Sequence, residues 1–329
     1  MSTRGLRNSE TRRPVRVALT NQKIMSLAIR GDDVFWTCEL RTSGALMRAP
    51  LTGGSSETVV PTQKWVVEVR SGGDEVLFAL AGDPPDSPLT LGQVMRLGAS
   101  GSQELISDGQ SHPGSPMRSG SRYFWLVFTH GTGLNAGPSP LARVRWRSVT
   151  GGPVKTVDTL TDVASYVVAG DSVVAVDTLR QHLVSVPIDG GPFREIHASS
   201  CIRDPIVGPD GSVYVAEGNP PAPGEKAKLF GPARRIVRIS PSGEMLELHQ
   251  SAEDIWSLAT DGVSLFWSSS NGVSRGAIVR MPLQGGAEEE LFRDVGIGDL
   301  VVTHNAIAWV KHSRDGDAIY SPEGALRSL

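Results

Sequence analysis

The chain has 329 residues, with 37 glycines, 22 prolines and seven tryptophans among 39% hydrophobic residues, enough apolar material for a large core cut by many turns. A net charge of −3, with no basic stripe interleaved with aromatics, argues against a nucleic-acid partner, and no apolar run approaches the roughly 18 residues of a membrane-spanning helix. Two cysteines, Cys38 and Cys201, cannot form a disulfide framework; with no Asn-x-Ser/Thr sequon, they favour a reducing cytoplasm.

Residues 1–13 are rich in arginine but have no apolar segment behind them, so they read as a disordered leader and not as a secretory signal. Residues 15–19 (VRVAL) form the first strand, and no blade-like unit precedes it. A unit then begins that recurs to the end of the chain. An apolar strand at 25–29 meets a tight turn at Gly31-Asp32-Asp33, and an aromatic strand follows around Trp36. After a loop comes a third strand at 46–51, a glycine turn, and a more polar fourth strand at 57–60. The aromatic site returns at Phe78, Trp125, Ala175, Val215, Trp267 and Trp309, at intervals of 42, 47, 50, 40, 52 and 42 residues. Four short strands every ~45 residues describe a propeller blade, which exposes an apolar face until it stacks on a neighbour.

The fold expected is therefore all-β: one seven-bladed β-propeller of four-stranded antiparallel blades over residues 14–329. A six-bladed ring with a degenerate repeat at Phe78 is the alternative. The seventh unit has three clear strands, so the N-terminal strand is expected to supply its fourth and close the ring, in competition with residues 325–329. A single propeller of this kind is expected to be a monomer.

Two sets of residues carry family resemblances. The Phe35-Trp36-Thr37 strand and the Arg48-Ala49-Pro50-Leu51-Thr52-Gly53-Gly54 run return near the other end as Phe266-Trp267-Ser268 and Arg280-Met281-Pro282-Leu283-Gln284-Gly285-Gly286. They resemble the Tyr-Trp-Thr-Asp (YWTD) propeller repeats of the low-density-lipoprotein-receptor class. The fifth unit, from Arg203-Asp204-Pro205 through Gly208-Pro209-Asp210-Gly211 to residues 236–243, is similar to NHL, streptogramin-lyase and gluconolactonase-type blades. Both resemblances imply a propeller. The second also implies an enzymatic alternative.

In a propeller the connections between first and second strands, and between third and fourth, share one face. The remaining connections share the other. Here the second set holds every long segment, at 81–91, 107–113, 130–140, 218–234, 268–275 and 311–316, and function concentrates in loops held by a rigid scaffold. His112, His130 and His312 are candidates because these loops can lean over the channel mouth. His197 and His249 fall on outer strands and are expected at the surface. The positions two after each aromatic site are Cys38, Leu80, Val127, Asp177, Glu217, Ser269 and Lys311, five of them polar, and could floor a pocket of mixed charge. Asp177, Glu217 and Lys311 would act as acid, base or clamp, and Cys38, flanked by Glu39 and Arg41, as a nucleophile. Arg203, Asp204, Trp65 and Trp256 enter innermost strands from this face and would contact ligand. A divalent metal at the mouth would need two or more of His130, His312, Asp177 and Glu217. Each residue also has a plain reading, as a strand-end polar group, a buried thiol, an internal ion pair or a packed ring. Two functions stay open: a module binding a small molecule or peptide on the long-connection face, or a lyase- or hydrolase-type enzyme acting on a small or cyclic substrate there.

Overall fold

The computed structural model describes residues 13–38, 44–61, 66–82, 91–128, 142–160, 162–177, 182–199, 201–203, 205–218, 231–270 and 275–323. Among these the only regular elements are 28 strands in seven four-stranded antiparallel sheets. The chain begins with β1 (Pro14–Thr20). Blade one comprises β2 (Ile24–Arg30), β3 (Asp33–Cys38), β4 (Leu46–Pro50) and β5 (Glu57–Val60). Blade two comprises β6 (Val66–Ser71), β7 (Val76–Leu80), β8 (Leu91–Leu97) and β9 (Gln103–Ser111). Blade three has β10 (Pro113–Ser119), β11 (Arg122–Phe128), β12 (Ala142–Ser148) and β13 (Gly151–Thr156). Blade four has β14 (Val163–Ala169), β15 (Ser172–Asp177), β16 (His182–Pro187) and β17 (Arg194–Ala198). Blade five has β18 (Ile206–Val207), β19 (Val213–Glu217), β20 (Arg235–Ile239) and β21 (Met245–Gln250). Blade six has β22 (Asp254–Thr260), β23 (Ser264–Ser270), β24 (Gly276–Pro282) and β25 (Glu289–Asp294). Blade seven has β26 (Ile297–Val302), β27 (Ile307–Ser313) and β28 (Gly316–Pro322), and β1 pairs with β28 to complete it.

The N-terminal strand thus closes the ring. Register runs from Pro14 opposite Pro322 to Thr20 opposite Asp317, and Glu323 N donates to Arg13 O at 3.0 Å. Residues 325–329 lie outside the described residues, as do residues 1–12 of the expected leader. Seven sheets exclude the six-bladed alternative, and Phe78, the least repeat-like of the aromatic positions, is fully buried.

Each blade is covered on both faces, so the core is divided into slices. Seven apolar clusters fill the seven seams between adjacent blades. Successive side chains on a strand point to opposite faces, and β3 shows the consequence. Val34, Trp36 and Cys38 pack into the seam with blade seven, whereas Phe35 packs into the seam with blade two. The aromatic site of every blade faces the preceding blade: Phe78 meets Val60, and Trp309 packs at a tilt against Phe292 with ring centroids 4.6 Å apart.

An innermost strand has one edge without a ladder partner, and unpaired backbone groups there need other acceptors. Side chains on neighbouring blades supply them. Val69 N donates to Ser26 Oγ at 2.9 Å, Ser115 N to Glu68 Oε2 at 2.5 Å and Leu300 N to Ser257 Oγ at 3.4 Å. Register shifts interrupt β2, β6, β10, β14, β22 and β26 near their starts, marking β-bulges. A bulge leaves a residue out of the ladder and re-aims its side chain. In blades one and six those residues are Met25 and Trp256, both exposed.

Candidate functional site at the channel mouth

Five innermost segments enclose a cavity of about 500 Å³ along the axis. Its lining includes Met25, Glu68, Arg70, Arg203, Trp256 and Asp299. Innermost strands start on the long-connection face, so Met25, Arg203 and Trp256 stand at that end of the channel.

The bulge in β22 turns Trp256 out of the sheet and leaves it 46% exposed, although the other described tryptophans pack in seams. Arg203 precedes β18, with its guanidinium carbon 5.4 Å from the centre of the Trp256 ring. Its Nη2 donates to Asp254 Oδ2 at 3.2 Å, and Gly231 O lies 3.4 Å away. Asp254 Oδ1 also accepts from Ala233 N at 2.7 Å. Cys201, in the left-handed region at φ 53°, donates its thiol to the same Gly231 carbonyl at 2.6 Å. Arg203 is thereby held by two neighbouring segments, and its buried Nε has no partner among the described residues. Across the channel, Glu68 Oε1 accepts from Arg70 Nε at 2.7 Å, and its other oxygen pins Ser115 at φ 46°. Tyr166 donates to Ser115 O at 2.8 Å, and burial pushes this phenol well above its ordinary pKa.

Of the expected ligand contacts, Arg203 and Trp256 come together here. Asp204, Trp65 and the candidate acid–base residue His130 lie outside the described residues. His112 does not lean over the mouth. Residues 107–111 belong to β9, and His112 alone links β9 to β10, buried and left-handed at φ 41°.

The expected polar rim is placed differently. The residues two after the aromatic sites face the seams and not the channel, because alternation puts them on the side of the strand that packs on the preceding blade. Cys38 lies in the cluster between blades seven and one, where burial pushes its thiol up, away from the thiolate a nucleophile requires. Asp177 is buried at the end of β15, opposite His182 in register. Glu217 is fully buried, with Oε2 2.5 Å from His197 Nε2 and Oε1 against Arg235. Lys311 Nζ reaches back to Asp294 Oδ2 of blade six at 2.6 Å. His197 and His249, expected at the surface, are seam residues as well, His249 standing 4.8 Å from the Trp267 ring. Among the described residues no group of three His, Cys, Asp or Glu side chains converges as metal ligands.

His312 is the candidate from that set whose geometry favours chemistry. The expected loop at 311–316 is a hairpin between β27 and β28 instead, with His312 directly opposite Asp317. Its Nδ1 lies 2.9 Å from Asp317 Oδ1, and Asp317 Oδ2 accepts from Ile24 N at 2.7 Å. The imidazole lies across the innermost strand at Gly298, where any Cβ would collide with Nε2. The hydrogen bond to Asp317 raises the His312 pKa above its usual value, and Asp299 on the cavity wall adds to the rise. Asp254, Asp299 and Asp317 escaped the sequence reading. The Asp315-Gly316 dipeptide signals a hairpin, but as the two central turn residues it would set Arg314 opposite Asp317, and the observed turn at 314–315 is what brings His312 there.

No protein-family model and no curated protein matches the sequence. Solved structures do match. The propeller domain of the Trilobed protease from Pyrococcus furiosus superposes with a TM-score of 0.64 at 8% identity, covering 92% of this chain and 96% of that one. That propeller has an open velcro topology, whereas here β1 pairs along β28. An acylaminoacyl peptidase, in complex with Z-Gly-Gly-Phe-chloromethyl ketone, gives 0.63 at 10% identity over 92% of this chain, which spans only 51% of the peptidase. Oligogalacturonate lyase in complex with manganese gives 0.60 at 11% identity, covering 94% and 90%. At such identities the likeness extends to the fold: the chain is a seven-bladed β-propeller.

Proposed function

We propose that the protein is a ligand-binding propeller that takes a small molecule or the end of a peptide into the channel mouth on the long-connection face. The observation that carries this reading is the Arg203–Trp256 pair, in which an exposed indole outside the core stands beside a guanidinium held at Asp254. Proteins bury large aromatics where they can. A ring kept at a channel mouth next to an ordered cation offers stacking and hydrogen bonding to one ligand group. Titrating short peptides and oligogalacturonates while following tryptophan fluorescence tests it. A response that Trp256→Ala removes, with affinity at least tenfold weaker in Arg203→Ala, is expected. A response unchanged in both variants would refute the assignment.

The His312–Asp317 pair favours a second reading, an enzyme of lyase or hydrolase type at the same mouth. A carboxylate that fixes Nδ1 leaves Nε2 to take or give a proton. Product appearing by NMR from those same substrates, lost in His312→Asn while binding persists, would establish it. Binding without turnover in the unaltered protein would leave the module reading alone.

A further inference from the structure

A second cavity, of about 360 Å³, opens between blades four and five towards the short-turn face, where the β14–β15 turn and the β20–β21 turn meet. It shares no lining residue with the channel. Its origin is compositional. Six seams each bury at least one aromatic ring, such as Trp36, Phe78, Trp125, Tyr166, Trp267 or Trp309. The apolar cluster between blades four and five contains only aliphatic side chains, and the His197 imidazole that enters this seam lies on Glu217 at the opposite end of β19 from the cavity. Both blades have lost the repeat's aromatic, to Ala175 and Val215. For Ala175 the facing strand compensates, since Tyr166 lies directly opposite and fills the seam with blade three. Opposite Val215 stands Val237, and no ring makes up the volume.

The walls include Val174, Ile196, Val213 and Ile239, and Arg194 stands among the lining residues. Among the described residues the Arg194 side chain has no ion-pair or hydrogen-bond partner. We propose that this seam is a binding site for a small aromatic carboxylate, with the ring between the valines where other seams carry their own ring, and the carboxylate on the Arg194 guanidinium. An apolar cavity of roughly 150 Å³ already accepts benzene, and a planar fork is the geometry that pairs with a carboxylate.

Calorimetric titration of the whole protein with phenylacetate, its neutral analogue phenylacetamide and N-acetyl-Gly-Phe tests the proposal. Phenylacetate or the dipeptide is expected to bind, at least fivefold more weakly to Arg194→Ala, with phenylacetamide indifferent to that change. Whichever of the two binds more tightly assigns the source, a free acid or a peptide end. Val213→Phe, which places a ring in the cavity, should abolish binding without lowering the melting temperature, and Ala169→Leu serves if that variant does not fold. Binding by neither carboxylate, equal binding to Arg194→Ala, or binding that survives the filled cavity would overturn the proposal.

Discussion

The imidazole of His312 is set by three residues that a linear pattern does not single out. Asp317 accepts from Nδ1, Gly298 leaves room for the ring, and Asp299 adds negative charge from the cavity wall. Lys23 opposes the shift, but the net effect is a pKa above the ordinary value. A group whose folded pKa is raised stabilises the fold fully below its unfolded value, about 6.5 for histidine, and that contribution is lost as pH rises through the folded value. Asp317→Asn should therefore lower the His312 titration midpoint in an NMR titration and flatten the decline of the urea midpoint as pH rises above about 6.5. Gly298→Ala should displace the ring and give the same loss of shift by the same measurement. Tryptophans give a second contrast at this scale. Trp267 is buried against His249, and its truncation to alanine should cost about 3–5 kcal/mol in chemical unfolding. Trp256 is outside the core, so its truncation should cost under about 1 kcal/mol while removing the ligand response.

The strands behave as units whose two faces have different owners. Each second strand sends one set of side chains to the preceding blade and the other set to the following one, which is why His197, His249 and Phe292 recur beside a bulge in the outer strand and meet the next blade. The β1 strand is the element whose partner is most distant in sequence. It covers the free edge of β28 and contributes Val17 to the seam holding Trp36 and Cys38. Deleting residues 1–20 should expose that edge and cost on the order of several kcal/mol, read as a lower melting temperature. An unchanged melting temperature would show that the clasp contributes nothing.

At the scale of the ring, the first and last strands pair in one blade, where Glu323 N reaches Arg13 O. A circular permutant joining them by a short glycine linker and opened in the connection between β7 and β8 should keep the same near-ultraviolet circular dichroism. It should melt at or above the temperature of the parent, because the clasp becomes covalent and closing the ring no longer orders a free terminus. A collapse of the signal would show that the native order of the blades is needed. The sequence by itself established an all-β repeat and favoured seven blades, because a period of two within strands and ~45 between units follows directly from local geometry. The pairing of β1 with β28 decided which terminus closes the ring, and two of the connections expected to be long, 107–113 and 311–316, are strand and tight hairpin. Only the tertiary structure decided where the polar groups point. Glu217, Lys311 and Cys38 share a face with the aromatic site, and that face is covered by a neighbouring blade, a fact no spacing within one blade contains. Trp256 and Arg203 reach the channel through a bulge and an irregular entry to β18, departures from the repeat that exist only once the innermost strands are packed around an axis.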